Sequence, residues 1–134
     1  MHILLDTHAL LWHLADDPQL SAGARVVIDD PANQIYVSAA SAWEVLTKYH
    51  TRDANGSRKL PDIGPLAVDF TREIRASGWH PLAVTTEHGQ HAGALPMHHR
   101  NPFDRMLVAQ SLAERMPLVS NEALFERYGV RRIW

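Results

Sequence analysis

Four acidic residues have the spacing of an active site in this 134-residue chain, namely Asp6, Glu44, Asp104 and Glu122. Carboxylates that are brought together repel one another and lose hydration, and a divalent cation relieves both penalties. Mg²⁺ and Mn²⁺ prefer oxygen ligands. An ion held in this way can orient water and stabilise the charge of an in-line displacement at a phosphodiester. The four acids therefore predict a catalytic Mg²⁺ or Mn²⁺ site.

Each acid also has an ordinary explanation. Asp6 and Glu122 are typical of residues that cap a helix, and Asp104 of favourable charge in a first helical turn. Glu44 alone would be one residue of a solvated helix face. The site is favoured because hydroxyl residues stand beside the same strand ends: Thr7, Ser38, Ser41 and Ser120.

The chain between the acids predicts short strands that alternate with helices. Strands are predicted at residues 3–5, 34–37, 82–84, 118–119 and 130–134. Helices are predicted at residues 9–15, 21–30, 39–49, 66–76, 87–95, 104–115 and 123–128, and an irregular or mobile loop at 51–65. This alternation favours an α/β fold with a parallel sheet covered on both faces, whose site lies at the carboxyl ends of the strands. Asp6 directly follows the first strand and belongs at that edge.

Composition excludes several other classes of protein. The chain has no cysteine, so neither a disulfide framework nor a thiolate metal site is possible, and a reducing compartment is the better fit. The net charge of −2 gives no general signal for nucleic-acid binding. No signal peptide is recognisable, and no apolar run approaches the roughly 20 residues of a membrane span. One domain over residues 1–134 is expected.

Basic and aromatic residues near the acids are candidates for binding a substrate. Arg100 and Arg105 flank Asp104 and could contact the phosphates of a substrate strand, because a guanidinium binds phosphate through a fork of donors. An ion pair that holds the acidic site together is the alternative for both. Tryptophans could stack on bases, although their apolar settings favour packing in the core or at an interface: Trp12, Trp43 and Trp134.

Histidines are plentiful, but few have ligand spacing. His88 and His91 are three residues apart on a predicted helix, yet no third soft ligand is apparent and a zinc site is not expected. His8 is expected to support structure rather than catalysis. His98 and His99 could contact phosphate, and a solvated loop is the favoured interpretation for at least one of them.

Four blocks of this sequence resemble PIN-domain proteins, and more closely the VapC-type toxins of toxin–antitoxin pairs. The blocks are ILLDTHALLW, VSAASAWEVLTKY, HHRNPFDRMLVAQ and LVSNEALFERYGVRRIW. The resemblance implies a PIN-like fold with a central, mainly parallel five-stranded sheet flanked by helices. It also implies a cytoplasmic, Mg²⁺- or Mn²⁺-dependent ribonuclease, usually dimeric, that is inhibited by a small VapB-like antitoxin.

The resemblance also implies roles for individual residues. Asp6, Glu44 and Asp104 match the three best-defined acids of the family. Glu122 stands where an aspartate is common, so a longer arm would reach the metal site or a second ion. Supporting roles around the ligands fall to Thr7, Ser38, Ser120 and Asn121, and Asn101 replaces an acid that is common in the family.

Two other classes of protein fit parts of the pattern. A phospho-acceptor receiver domain also gathers carboxylates at strand ends, but it needs an acidic pair after the first strand and a lysine after the last. This chain has one acid after its first strand, and its lysines are Lys48 and Lys59. An inactive, RNA-binding PIN domain is the second alternative, against which the four retained acidic positions argue.

Overall fold

A five-stranded, all-parallel sheet forms the centre of the computed structural model, which describes residues 1–57, 60 and 63–134. The strands are β1 (His2–Leu5), β2 (Gln34–Ser38), β3 (His80–Leu82), β4 (Leu118–Val119) and β5 (Arg132–Ile133). Their order across the sheet is β3-β2-β1-β4-β5. The predicted α/β fold with a central parallel sheet is confirmed.

Helices connect the strands and cover both faces of the sheet. The α-helices are α1 (Thr7–Leu14), α2 (Ala22–Asp29), α3 (Ala39–His50), α4 (Pro65–Val68), α5 (Phe70–Ala76), α6 (Thr86–Ala94) and α7 (Pro102–Glu114). A 3₁₀ helix spans Ala123–Tyr128. No helix formed by the described residues has the length and apolar character needed to cross a bilayer.

The central strand β1 is buried on both faces, which explains its unbroken apolar run. Side chains alternate between the faces of a strand. Ile3 and Leu5 therefore join one core cluster, built with residues of α1, α2 and α5, and Leu4 joins a second cluster with residues of α7. Both layers of helices are anchored on this strand, so the residue that follows it has little freedom of position.

Several predicted boundaries are wrong, and each error has a local cause. The predicted helix over 66–76 is divided at Asp69, whose side chain caps α5 by accepting a hydrogen bond from Arg72 N at 3.1 Å. The third strand lies two residues earlier than predicted and contains Pro81, which is tolerated because β3 is an edge strand. The fifth strand is shorter than predicted.

The predicted loop over 51–65 falls partly outside the described residues, since positions 58, 59, 61 and 62 are not described. Its first part is an irregular turn. There Asp53 Oδ1 accepts hydrogen bonds from Asn55 N at 2.8 Å and Ser57 N at 2.9 Å.

Candidate active site

Asp6 lies where the path of the chain across the sheet changes direction. From β1 the sheet continues to β2 and β3 on one side and to β4 and β5 on the other, so a crevice opens between the ends of β1 and β4. Asp6 N donates to Val119 O at 3.0 Å, and Ser120 follows β4 at the same edge. The Ser120 hydroxyl donates a hydrogen bond to the Asp6 carboxylate.

Asp6 has the capping role that the sequence offered, and it lies where the proposed metal-binding role would need it. Its Oδ1 accepts a hydrogen bond from Ala9 N at 2.7 Å, which caps α1, and α1 therefore begins at Thr7 rather than at Ala9 as predicted. The carboxylate is also buried at the crevice. Burial raises the pKa of Asp6, and the nearby Glu44 adds to this, while Ser120, the Ala9 amide and His8 oppose it.

Glu44 lies at the same edge of the sheet on α3, which starts directly after β2. Ser38 caps this helix by accepting a hydrogen bond from Ala40 N at 3.0 Å. Only 3 % of Glu44 is exposed. Its Oε2 accepts a hydrogen bond from Lys48 Nζ at 2.7 Å, whereas its buried Oε1 has no hydrogen-bond donor among the described residues. A buried carboxylate oxygen without a donor is costly, so this atom is open to a cation.

Asp104 occupies the first turn of α7. This helix starts at Pro102 rather than at Asp104, because Asn101 Oδ1 caps it by accepting from Phe103 N at 2.9 Å and Asp104 N at 3.4 Å. Burial, followed by the negative charge of Glu44, raises the pKa of Asp104 to about 6. His99 opposes part of this rise, and Asp6 adds to it.

The structure thus brings Asp6, Glu44 and Asp104 into one electrostatic group. Each of the two aspartates has a raised pKa, and Glu44 contributes to both. Among the described residues, no group of three or more Asp, Glu and His side chains is arranged so that it could hold a metal ion as it stands. The oxygen donors nevertheless fit Mg²⁺ or Mn²⁺, because Mg²⁺ commonly takes one or two carboxylates and keeps several waters.

Glu122 has a different local role from the other three acids. Its Oε1 accepts a hydrogen bond from Leu124 N at 3.1 Å and so caps the 3₁₀ helix. Its own main-chain N–H donates to Ser120 Oγ at 3.0 Å, which links it to Asp6 through that hydroxyl. The neighbouring Asn121 is exposed. The capping alternative for Glu122 is therefore present in the structure, and any contact with a cation would be additional to it.

Thr7 and Ser38 support the backbone around the acids. Thr7 Oγ1 donates to Ser41 Oγ at 3.1 Å, and this buried hydrogen bond ties the start of α1 to the start of α3. Since Asp6 caps α1 and Glu44 is carried by α3, the Thr7–Ser41 contact fixes the separation of the two helices that hold these acids.

Arg105 is held by main-chain oxygens and, within the described residues, makes no ion pair with the acids, so its binding of RNA phosphates stays a prediction that these contacts disfavour. It is buried, and its guanidinium donates to four main-chain oxygens: Ala92 O at 2.8 Å, Leu95 O at 2.9 Å, Pro96 O at 3.0 Å and His99 O at 3.2 Å. With its terminal donors engaged, it holds the segment before α7 in place. Arg100 is exposed and remains the candidate for phosphate binding.

Of three site neighbours, only His8 was weighed from the sequence as a support of the site; Lys48 and His99 were not. Lys48 is one helical turn after Glu44, a spacing that could have indicated the ion pair. His8 lies near enough to Asp6 and Asp104 to lower the pKa of both. His99 Nε2 is 3.3 Å from Asp104 Oδ2. Its only sequence signal is its position just before the Asn101-Pro102 helix start.

Two apolar cavities adjoin this edge of the molecule. One, of about 410 Å³, has His8 on its rim and is lined mainly by apolar residues, including Leu11, Trp12, Leu14, Ile63 and Leu66. The other, of about 330 Å³, is lined by Ala39, Ala40, Trp43, Val84, Pro102, Phe103 and Met106. Trp43 is 68 % exposed and makes an edge-to-face contact with Phe103, with ring centroids 5.0 Å apart.

Comparison with known proteins gives one family. The PIN domain family model matches residues 3–130. Ribonuclease VapC16 of Mycobacterium tuberculosis is 36 % identical over 81 residues, which are 58 % of this chain and 53 % of that relative. The match thus spans about half the length of the relative.

Solved structures show the same fold at low sequence identity. A DNA-bound VapBC complex of Salmonella typhimurium aligns with a TM-score of 0.69 and 17 % identity, over 98 % of this chain and 96 % of that one. VapBC2 of Rickettsia felis, bound to a DNA fragment from its promoter, aligns with a TM-score of 0.66 and 14 % identity over the whole of both chains.

Proposed function

Because this chain belongs to the PIN domain family, we propose that it is a divalent-metal-dependent endoribonuclease and the toxin of a toxin–antitoxin pair. The observation that carries the proposal is the group of three carboxylates at the β1–β4 crevice, with Glu44 Oε1 buried and lacking a donor among the described residues. The name of the ribonuclease VapC16 supports RNA as the substrate. Action on RNA implies a cytoplasmic protein.

The proposed role of the three acids is to bind Mg²⁺ or Mn²⁺ at the end of β1. A bound ion of this kind supplies orientation of the attacking water and stabilisation of the charge that develops on the phosphate. Asp6 and Asp104 must lose their protons to bind it, and their raised pKa values make this step depend on pH. Lys48 balances one oxygen of Glu44 and leaves the other free for the ion.

Arg100 is proposed to hold the RNA backbone beside this site. It is exposed, and within the described part of the chain it makes no recorded hydrogen bond or ion pair. It is four residues before Asp104, so a phosphate bound by its guanidinium would lie close to the start of α7. Arg105 takes no part in this contact, because its donors serve main-chain oxygens.

The direct test is cleavage of RNA by the purified protein with and without Mg²⁺. We expect Asp6→Asn, Glu44→Gln and Asp104→Asn to lose more than about 100-fold in rate, because even the outer partners of metal ligands contribute about 10–100-fold. Glu87→Gln on exposed α6 is the matched control and should keep its activity. An active Asp6 or Asp104 variant would contradict the assignment, and RNA binding without cleavage by the parent would indicate an inactive PIN domain.

A VapB-like antitoxin is the proposed protein partner, as the VapBC complexes among the similar structures suggest. The 410 Å³ cavity beside His8 offers apolar surface next to the acids, where an amphipathic helix can bury its apolar face. A basic side chain of the same partner would satisfy the carboxylates and block the metal and the substrate together.

A second copy of this chain is the proposed partner of the face around Trp43. The cavity lined by Trp43, Val84 and Phe103 has no charged residue in its lining, so two copies that meet there bring no like charges together. A two-fold interface places the same patch of both subunits in contact, which suits a protruding tryptophan beside an apolar hollow. Homodimer formation through this face leaves the His8 cavity available to the antitoxin.

A further inference from the structure

His99 is held in place by its main chain and by the packing of its ring. Its N–H donates to Tyr128 Oη at 2.7 Å, and its carbonyl oxygen accepts from the buried Arg105 guanidinium at 3.2 Å. Its ring lies against Phe125, with centroids 5.7 Å apart. A histidine fixed from both sides of its backbone and along its ring has little freedom to leave its position.

The two ring nitrogens of His99 have different partners. Nδ1 accepts a hydrogen bond from Asn101 N at 3.2 Å, so in the neutral ring the proton belongs on Nε2. Nε2 lies 3.3 Å from Asp104 Oδ2. The Asn101 amide thus selects the tautomer with its proton on the nitrogen nearer the acid, and the 3.3 Å approach to Oδ2 is an electrostatic contact without hydrogen-bond geometry.

Asp104 is held at its two ends by neighbouring residues. Asn101 accepts a hydrogen bond from the main-chain N–H of Asp104 at 3.4 Å, and His99 contacts one carboxylate oxygen of the same residue. A contact on Oδ2 restricts rotation of the carboxylate. Outer partners of ligating carboxylates orient the ligand and are worth about 10–100-fold in metal affinity.

We propose that His99 is a positioning residue, whose fixed ring, through the contact of Nε2 with Oδ2, sets the orientation of the Asp104 carboxylate for binding a divalent cation. The inference rests on the proposed metal-dependent function, and it gives His99 no contact with substrate or with the ion. It distinguishes His99 from its neighbour His98, whose ring packs edge-on against Tyr128 with centroids 5.0 Å apart.

Two substitutions separate the nitrogens of His99. In His99→Gln the side-chain amide NH₂ takes the place of Nε2 and keeps a donor toward Asp104. In His99→Asn the side-chain oxygen takes the place of Nδ1, keeps an acceptor for Asn101 N and loses the donor. A purely structural role in the loop predicts that His99→Asn is the milder change, whereas positioning of Asp104 predicts the opposite.

Binding of Mn²⁺, followed by calorimetry or by the loss of its free-ion electron paramagnetic resonance signal, is the decisive measurement. We expect His99→Asn to weaken Mn²⁺ binding by about 10-fold or more, and His99→Gln to stay close to the parent. The Mg²⁺ concentration for half-maximal cleavage should shift in the same order. Thermal unfolding should not follow that order, because both variants lose the ring packing against Phe125. Equal Mn²⁺ affinity of His99→Asn and the parent would overturn the inference.

The parent and Asp104→Asn separate this inference from the proposed function. If the parent binds no Mn²⁺, or if Asp104→Asn binds it as well as the parent does, the proposed metal site itself is wrong. If the site is confirmed but the His99 variants do not differ as expected, only the positioning role fails.

A measurement on the parent protein covers the case in which a variant does not fold. Nuclear magnetic resonance of ¹⁵N-labelled histidine should show His99 protonated on Nε2 and not on Nδ1. Addition of Mg²⁺ should move the Nε2 resonance of His99 more than that of His98. A proton on Nδ1 of neutral His99, or no response to Mg²⁺, would count against the proposal.

Discussion

Ser120 and Asp6 join the ends of two neighbouring strands through a side-chain hydrogen bond, in which the Ser120 hydroxyl donates to the Asp6 carboxylate. Ser120 follows β4 and Asp6 follows β1, and the two strands pair directly through Leu5 and Val119. The hydroxyl also accepts from Glu122 N at 3.0 Å. One small buried residue therefore connects the central acid of the site to the segment that carries the fourth acid.

Glu122→Gln should affect cleavage less than Asp6→Asn, Glu44→Gln or Asp104→Asn. A glutamine oxygen can still accept the hydrogen bond from Leu124 N, so the start of the 3₁₀ helix is kept. The change removes only the charge, and because this carboxylate already caps the 3₁₀ helix, Glu122 is the weakest candidate ligand. The measurement is cleavage rate against Mg²⁺ concentration. A Glu122→Gln protein as inactive as Asp104→Asn at saturating Mg²⁺ would make Glu122 a full ligand.

Asp104→Asn should stabilise the metal-free protein at pH 7. The pKa of Asp104 is about 6 in the folded state against 3.8 ordinarily, so the folded state binds this proton more tightly and loses stability as the pH rises from about 4 to 6. The neutral side chain raises the free energy of unfolding by up to about 3 kcal/mol above pH 6, and this gain vanishes near pH 4.

Urea unfolding in the presence of a chelator, at pH 7 and at pH 4, measures this difference in the free energy of unfolding. Glu87→Gln serves again as the control, and a destabilised Asp104→Asn at pH 7 would contradict the electrostatic account.

Arg105→Lys and Arg100→Ala should separate folding from RNA binding. A lysine keeps the charge of Arg105 but cannot reach four carbonyl oxygens, so the free energy of unfolding should fall by more than about 2 kcal/mol. Arg100→Ala should leave unfolding unchanged and weaken RNA binding by the inactive Asp104→Asn protein. Chemical denaturation and a filter-binding titration provide the readouts. If Arg100→Ala lowered the free energy of unfolding and Arg105→Lys weakened RNA binding instead, the two arginines would have the opposite roles.

An antitoxin that inhibits this protein should depend on one basic side chain placed among the acids. Changing that residue to alanine should reduce inhibition, because the carboxylates then lose their partner in the complex. Mg²⁺ should compete with the parent antitoxin and much less with the alanine variant. The experiment is titration of a co-purified complex with Mg²⁺. If the alanine variant inhibits as well as the parent, the apolar cavity beside His8 alone accounts for inhibition.

Trp43→Ser should weaken self-association of the chain. Its side chain is 68 % exposed and borders the uncharged cavity near Phe103, whereas Val26 is 70 % exposed on α2. Val26→Ser therefore removes a similarly exposed apolar group away from this face and is the matched control. Sedimentation velocity over a range of concentrations would report the change. A dimer that survives Trp43→Ser but not Val26→Ser would place the interface on α2.

The parallel sheet and the position of Asp6 could be predicted because both follow from local patterns. A short apolar run that stops at an aspartate has few other interpretations in an alternating α/β sequence. The strand β3 was predicted two residues too late, because Pro81 interrupts the strand pattern. Proline is tolerated in a strand at the edge of a sheet, but the sequence alone does not show which strand lies at the edge.

Arg105 and His99 show what sequence spacing does not contain. Arg105 is adjacent to Asp104 and His99 is five residues before it, yet one turns inward to main-chain oxygens and the other toward the carboxylate. Which way each side chain points depends on the path of residues 92–101, which is fixed by tertiary contacts. For Glu122 the sequence offered both a cap and a ligand, and the structure shows the capping hydrogen bond.

The cap and the proposed cation binding place two different requirements on Asp6. Capping of α1 needs only a short side chain with an acceptor, so serine and asparagine would preserve protein abundance in a library of variants. The proposed cation binding needs the negative charge, so a screen for the proposed growth inhibition would accept aspartate alone. Alanine would lose both, at a cost of about 1 kcal/mol for the cap, and its phenotype would mix poor folding with lost chemistry.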